Sequence, residues 1–389
     1  MKPGLAKYRT EFGSKTGDKE TVLHTAANIV CGDVFLINGQ SNAVATDFGN
    51  DTEAPPINEW VRTFGATAGD PNGSRLKLWA TAQARSPDGQ SEIGYWGMEL
   101  GRRLVESQKL PICIINGAVG GTRIDQHQRN SSNPTDAATI YGRLLWRVQQ
   151  ARLTQGVPAI LWHQGENDQG ADGPTGGYGY ETYREFFIDL AAAWKEDFPN
   201  IDRYYAFQIW PKSCSMGING SDNKLREVRR LLPNDFSNLI AMSTLGIKPP
   251  GGYHFPATGY AEFARLIAPA IKYKIYHRFT DGPVTPPSLK RAFLTNDQRD
   301  ELVLDFDSQV VWQDSLASQF YLDGEAKQIA SGSANSNLIT LKLKQPSKAT
   351  RVTYLDSASW SPDNLLYSPK GLAALIFCEV PISTGNPGR

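Results

Sequence analysis

In this chain of 389 residues, 40 Lys and Arg balance 40 Asp and Glu, giving a formal net charge of zero. That balance argues against nucleic acid or an anionic membrane as the main partner, because both select basic surfaces. No apolar run approaches the roughly 20 residues of a membrane span, and the length suffices for two or three domains around a large core.

The start, Met1 to Tyr8, holds no apolar core of a signal peptide. Residues 1–30 do not read as a domain; Glu20 to Val30 has strand character, the trailing edge of a longer N-terminal β region. From Cys31 to about residue 280, strand-like and helix-like segments alternate. Apolar runs fall at Val34–Ile37, Ile112–Ile115, Ala159–Trp162, Tyr204–Ile209 and Leu239–Met242, each short enough to be a strand buried on both faces. Between them, Trp96, Leu100 and Leu104, then Ile140, Leu144, Leu145 and Val148, keep helical spacing. So do Tyr183, Phe186, Phe187, Leu190 and Trp194, followed by Leu225, Val228 and Leu232. Tyr260, Phe263, Ile267 and Ile271 give a last helix, expected to kink near Pro269. The alternation predicts a flavodoxin-like three-layer α/β sandwich with a five-stranded, mostly parallel sheet. Asp281 to Pro287 is linker chemistry, and from there to residue 389 short strands separated by turns predict a small C-terminal β-sandwich. The four cysteines, Cys31, Cys113, Cys214 and Cys378, have no paired spacing; three lie in or beside apolar runs, as buried free thiols do.

In open α/β sheets ligands bind outside the carboxyl ends of the strands, and the polar motifs fall there. Asn38-Gly-Gln-Ser-Asn42 follows the first strand. Ser41, on a Gly-relaxed turn and flanked by Gln40 and Asn42, is placed to act as a nucleophile or, alternatively, to cap the next helix. Asn116 to Asp125 follows the second strand; Gly120 and Gly121 let the backbone point an amide at a ligand, or simply form a tight turn. His163-Gln-Gly-Glu-Asn-Asp168 follows the third. There Gln164 can donate to an oxyanion, and Glu166 can orient a histidine or serve as a loop carboxylate. His254, one of only five histidines, opens the last helix and can act as general base. Tyr178 and Tyr180 end a Gly-rich loop that can form a rim for stacking a sugar. Arg123 can pair with a substrate carboxylate or bridge to Asp125.

Together, Gly32-Asp-Val-Phe-Leu-Ile-Asn-Gly-Gln-Ser-Asn42, Gly120-Gly-Thr122, Trp162-His-Gln-Gly-Glu-Asn167 and the late His254 resemble the SGNH-hydrolase superfamily over about residues 31–280. Within it they resemble the carbohydrate esterases that include sialate O-acetylesterases and acetylxylan esterases. The resemblance implies a nucleophile at Ser41, a base at His254, and an oxyanion hole from the Ser41 amide, Gly120 and Gln164. It also implies an acetylated carbohydrate as substrate, with no cofactor or metal. Polymeric substrates of that kind favour a secreted or periplasmic location. The superfamily usually places an Asp three residues before the histidine; here that position is Gly251, and Glu166 is the expected substitute. Two rivals follow: a catalytically weakened sugar-binding protein on an esterase scaffold, motivated by the missing Asp, and a metal-dependent hydrolase using His163, Glu166, Asp168 and His254.

Overall fold

The computed structural model describes residues 1–66, 76–168, 179–211, 221–248, 254–357 and 359–384. An antiparallel hairpin, β1 (Gly4–Thr16) and β2 (Lys19–Cys31), leads into β3 (Asp33–Gly39), the central strand of the first sheet. Beside β3 lie β6 (Ile112–Asn116) on one side and β7 (Ala159–His163) on the other, both parallel to it. Beyond β7 come β8 (Arg203–Gln208) and β9 (Leu239–Ser243), also parallel. All five expected strands are therefore present, but the sheet has seven. On the far side of β6 lie β4 (Val61–Phe64) and, antiparallel at the edge, β5 (Trp79–Thr81). Strand β4 carries Arg62 and Thr63 between apolar residues and β5 is only three residues long, so neither shows the continuous apolar run that marks a strand buried on both faces.

Side chains of β3 alternate between two cores, as the two-residue period of a strand demands. Phe35 and Ile37 pack with helices α2 (Tyr95–Gln108) and α6 (Ala257–Lys274). Val34 and Leu36 pack with α3 (Ile140–Gln150), α4 (Tyr180–Asp197) and Leu225 of α5 (Ser221–Leu231). Pro269 lies inside α6, and the helix runs past it to Lys274. Because β6 and β7 flank β3 on opposite sides, the crossovers reverse direction at β3, and the loops after all three strands converge at one edge.

The remaining strands are β10 (Leu289–Leu294), β11 (Glu301–Phe306), β12 (Phe320–Leu322), β13 (Ile329–Asn335), β14 (Leu338–Leu343), β15 (Arg351–Tyr354) and β16 (Phe377–Thr384). A two-sheet sandwich was expected here; the structure has one seven-stranded ladder, in the order β12-β15-β16-β10-β11-β14-β13. The cause is β16. Its first part pairs with β15, its last residues with β10, and Glu379 between them sits at φ +54° as in a bulge, so one strand joins both halves. Phe377 of β16 shares one core with Leu302 of β11, Ile339 of β14 and Val352 of β15. The ladder is docked by buried hydrogen bonds: Gln208 Nε2 donates to the Ile376 carbonyl at 2.8 Å, and the Ile376 amide donates back to Gln208 Oε1 at 2.8 Å. Cys31, Cys113 and Cys378 are free thiols; Cys214 lies outside the described residues. Burial pushes the Cys113 thiol up to about 12. No helix among the described residues is long and apolar enough to cross a membrane.

Candidate active site

The strand-to-helix turn after β3 is held open by a close approach of backbones. Gly39 has φ +137°, and a Cβ there would lie 2.0 Å from the His163 carbonyl oxygen, so only glycine fits. The Gln40 amide then donates to that carbonyl at 3.0 Å. Helix α1 (Ser41–Val44) follows, with Gln40 as its N-cap. Ser41 is thus the first helical residue and not the cap. Among the described residues its hydroxyl and amide have no hydrogen-bond partner, and the residue is partly exposed.

The loop after β6 is fastened to this turn. The Gly117 amide donates to the Ile37 carbonyl at 2.8 Å and the Val119 amide to the Gly39 carbonyl at 3.0 Å. Asn116 Nδ2 reaches the Ala43 carbonyl at 2.8 Å. These bonds bring Gly120 against Ser41: a Cβ on Gly120 would stand 3.7 Å from the Ser41 Cβ. The Gly120 amide has no acceptor among the described residues. Two unengaged amides and a hydroxyl thus share one point at the carboxyl edge, an arrangement able to receive an oxyanion.

The amide side chains around Ser41 are framework, which corrects three sequence-based expectations. Gln40, fully buried, donates through Nε2 to Asn167 Oδ1 at 2.7 Å and accepts from the Gly165 amide at 3.0 Å. Asn42 Nδ2 donates to Glu166 Oε1 at 2.9 Å, and the Tyr260 hydroxyl donates to Asn42 Oδ1 at 3.0 Å. Gln164, expected as an oxyanion donor, is buried with Nε2 donating to the Thr122 carbonyl at 3.0 Å, to Gln40 Oε1 at 3.3 Å and to Asp168. Their amide donors are engaged within the protein, where they tie the loops after β3, β6 and β7 together.

His254 has a different partner from the one expected. Its Nδ1 lies 2.8 Å from Asp47 Oδ2, across 207 residues of chain, while Glu166 lies against Asn42 and, at 3.8 Å, His163 Nε2. Asp47 was missed because nothing in the sequence marks it: it stands in the loop after α1 with no motif around it. Gly251 lies outside the described residues, as does Tyr178. Tyr180 is the first residue of α4, packs at the border of the second core and has Lys224 over its ring at 5.4 Å. Arg123 bridges to Asp125 through Nε at 2.9 Å and Nη2 at 3.0 Å, the structural alternative of the two readings. Among the described residues no three His, Cys, Asp or Glu side chains group as a metal site requires, and His163, Glu166, Asp168 and His254 are not gathered as ligands.

Burial sets the charges behind the site. It pushes the Asp168 carboxyl up to about 6, although hydrogen bonds from Gln164 and the Ile124 amide oppose the shift. It holds the imidazoles of His163 and His127 down at about 4 and about 3. The raised carboxyl favours folding at low pH, an effect lost as pH rises through about 6. The lowered imidazoles favour folding above the ordinary histidine value of about 6.5, an effect lost as pH falls toward their folded values. Near pH 5, unfolding therefore takes up protons on the two histidines and releases one from Asp168. Asp168→Asn is expected to steepen the fall of stability with acid by about one proton, ~1.4 kcal/mol per pH unit. Urea unfolding of both proteins between about pH 4.5 and 5.5 measures this, and parallel curves would refute it.

Comparison with known proteins adds the following. The family of carbohydrate esterases described as sialic acid-specific acetylesterases matches residues 31–272. No curated protein sequence matches the chain. Among solved structures, a carbohydrate acetylesterase from Xanthomonas citri, XAC1771, is similar with a TM-score of 0.70 at 18% identity, covering 91% of this chain and 82% of its own. A protein from Arabidopsis thaliana has a TM-score of 0.47 at 20% identity, covering 61% of this chain and 97% of its own. NanS has a TM-score of 0.46 at 16% identity, covering 64% of this chain and 100% of its own.

Proposed function

Because the chain belongs to the carbohydrate esterase family of sialic acid-specific acetylesterases, we propose that it removes O-acetyl groups from sugars through an acyl-enzyme on Ser41. Ser41 Oγ attacks the acetyl carbonyl, and His254 takes its proton as general base. With Nδ1–H directed at Asp47, the imidazole presents Nε2 for that transfer. The developing oxyanion is received by the amides of Ser41 and Gly120, two donors fixed before substrate arrives. As the bond from the acyl carbon to the sugar oxygen breaks, the imidazolium of His254 gives its proton to that oxygen, and a water activated by the same imidazole then releases acetate. The observation that carries this reading is the unengaged hydroxyl and amide of Ser41 beside the unengaged amide of Gly120, at the edge where β3, β6 and β7 end. Brief exposure to an aryl acetate should add one acetyl group to Ser41, detectable by mass spectrometry of the peptide. Acetate release from O-acetylated sialic acid and from acetylated xylan then identifies the sugar. A protein that releases acetate from neither, and traps none, would end the proposal.

Gly120 offers a sharper check. A methyl group there makes only ordinary contact with Ser41, and Gly120 has no positive φ, so Gly120→Ala should fold like the parent. The methyl occupies space that the acetyl carbonyl must enter. We expect kcat/KM for a small aryl acetate to fall about tenfold, ~1.4 kcal/mol of transition-state stabilisation. An unchanged kcat/KM would place the carbonyl elsewhere.

A further inference from the structure

A cavity of about 310 Å³ opens where the second ladder meets the carboxyl edge of the first sheet. Its walls come from both parts of the chain. Trp210 stands just beyond β8, and Gly246 and Lys248 lie beyond β9; Trp360, Pro362 and Asp363 belong to the segment between β15 and β16. The two indoles meet edge to face, with centroids 6.4 Å apart at 61°. Trp210 also packs on Phe255 at 4.9 Å, and Phe255 is the neighbour of His254. One wall of the cavity, Trp210, is thus linked through Phe255 to the histidine side of the candidate active site.

We propose that this cavity is a subsite for a pyranose ring of the glycan, adjoining the sugar that carries the acetyl group. The proposal rests on the carbohydrate esterase reading. Both indoles are only partly buried, leaving flat apolar surface open at a ligand-binding edge. A pyranose ring has an apolar face of C–H bonds that lies well on such a surface, with hydroxyls at its rim. Lys248 and Asp363, both exposed at the mouth, supply a donor and an acceptor for those hydroxyls. The platform is also held rigid. Asn223 of α5 donates to Asp356 Oδ2 at 3.0 Å and accepts from the Ser357 amide at 3.1 Å, while the Ser361 amide donates to Gln319 Oε1 at 3.3 Å. A ring docking there pays little ordering entropy, which preserves affinity. The second ladder therefore contributes to substrate selection as well as to the fold.

The test is Trp360→Ala, read with two kinds of substrate. On acetylated xylo-oligosaccharides or O-acetylated sialyllactose, whichever the enzyme accepts, KM should rise about tenfold with kcat little changed. On an aryl acetate, which cannot reach the cavity, kinetics should match the parent. Trp360→Phe should recover most of the loss. Equal losses on both substrates, or none on the oligosaccharide, would overturn the subsite. Binding separates this proposal from the esterase reading: in the Ser41→Ala protein, xylotetraose and sialyllactose are each titrated by tryptophan fluorescence. A saturable change with one of them that disappears in Ser41→Ala/Trp360→Ala supports the subsite even if no ester is cleaved. Absence of any change with both glycans refutes it even in an active esterase.

Discussion

Ser41→Ala is expected to abolish ester hydrolysis while leaving the thermal unfolding of the protein unchanged. The hydroxyl is partly exposed and has no hydrogen-bond partner among the described residues, so removing it opens no cavity and strands no buried group. In the proposed mechanism its loss removes the group that forms the acyl-enzyme. In subtilisin, loss of the corresponding serine costs about 2 × 10⁶ in kcat. A fall of at least about 10⁴ is expected here, because oxyanion donors and binding alone keep residual catalysis. Turnover of an aryl acetate by purified Ser41→Ala measures it; a loss under about tenfold would assign the nucleophile to another side chain.

Asp47→Asn should have the next largest effect. In the proposed mechanism the carboxylate fixes the tautomer of His254 and offsets the charge that the imidazole gains on taking the proton from Ser41. The equivalent change in a Ser-His-Asp protease costs about 10⁴ in kcat. Here the Asp47 side chain is 78% exposed and that of His254 29%, so water screens the pair and about 10² is expected. Asp47 acts through His254 and not on the substrate, so KM should hardly move and the loss should fall on kcat. Glu166→Gln is the control. Its carboxylate is buried against Asn42, so that change should lower stability more than kcat. If Asp47→Asn loses less than about threefold and Glu166→Gln far more, the ion pair with Asp47 has no part in the reaction.

The five parallel strands were legible because strands covered on both faces by helices must be apolar throughout, as Val34–Ile37 is. Strand β4, broken by Arg62 and Thr63, β5, short and at the sheet edge, and β13, a run of mostly small residues, carry no such signature. The gathering of the polar motifs at one edge followed from strand order, since loops at carboxyl ends converge whatever their residues. The identity of the working side chains followed less well. A glutamine beside a nucleophile suits an oxyanion and a structural clamp equally, and only burial decides between them. Gln40, Asn42 and Gln164 are all buried, with their amide donors bonded inside the protein. The His254–Asp47 pair joins two loops with no shared pattern, so only the folded chain brings it into view.

The reciprocal hydrogen bonds between Gln208 and Ile376 bear on how this chain can be divided. Gln208 closes β8 from inside the protein, and its amide is met by the second ladder. Leu245, just past β9, belongs to the core of that ladder and not to either core of the first sheet. A chain ended after α6 would turn both residues, and the base of the loops after β8 and β9, toward water. The first sheet of this chain, with Gln208 and Leu245 as they stand, is therefore not built to be handed on by itself: moved without the β-rich partner, it would carry two interior residues onto its surface.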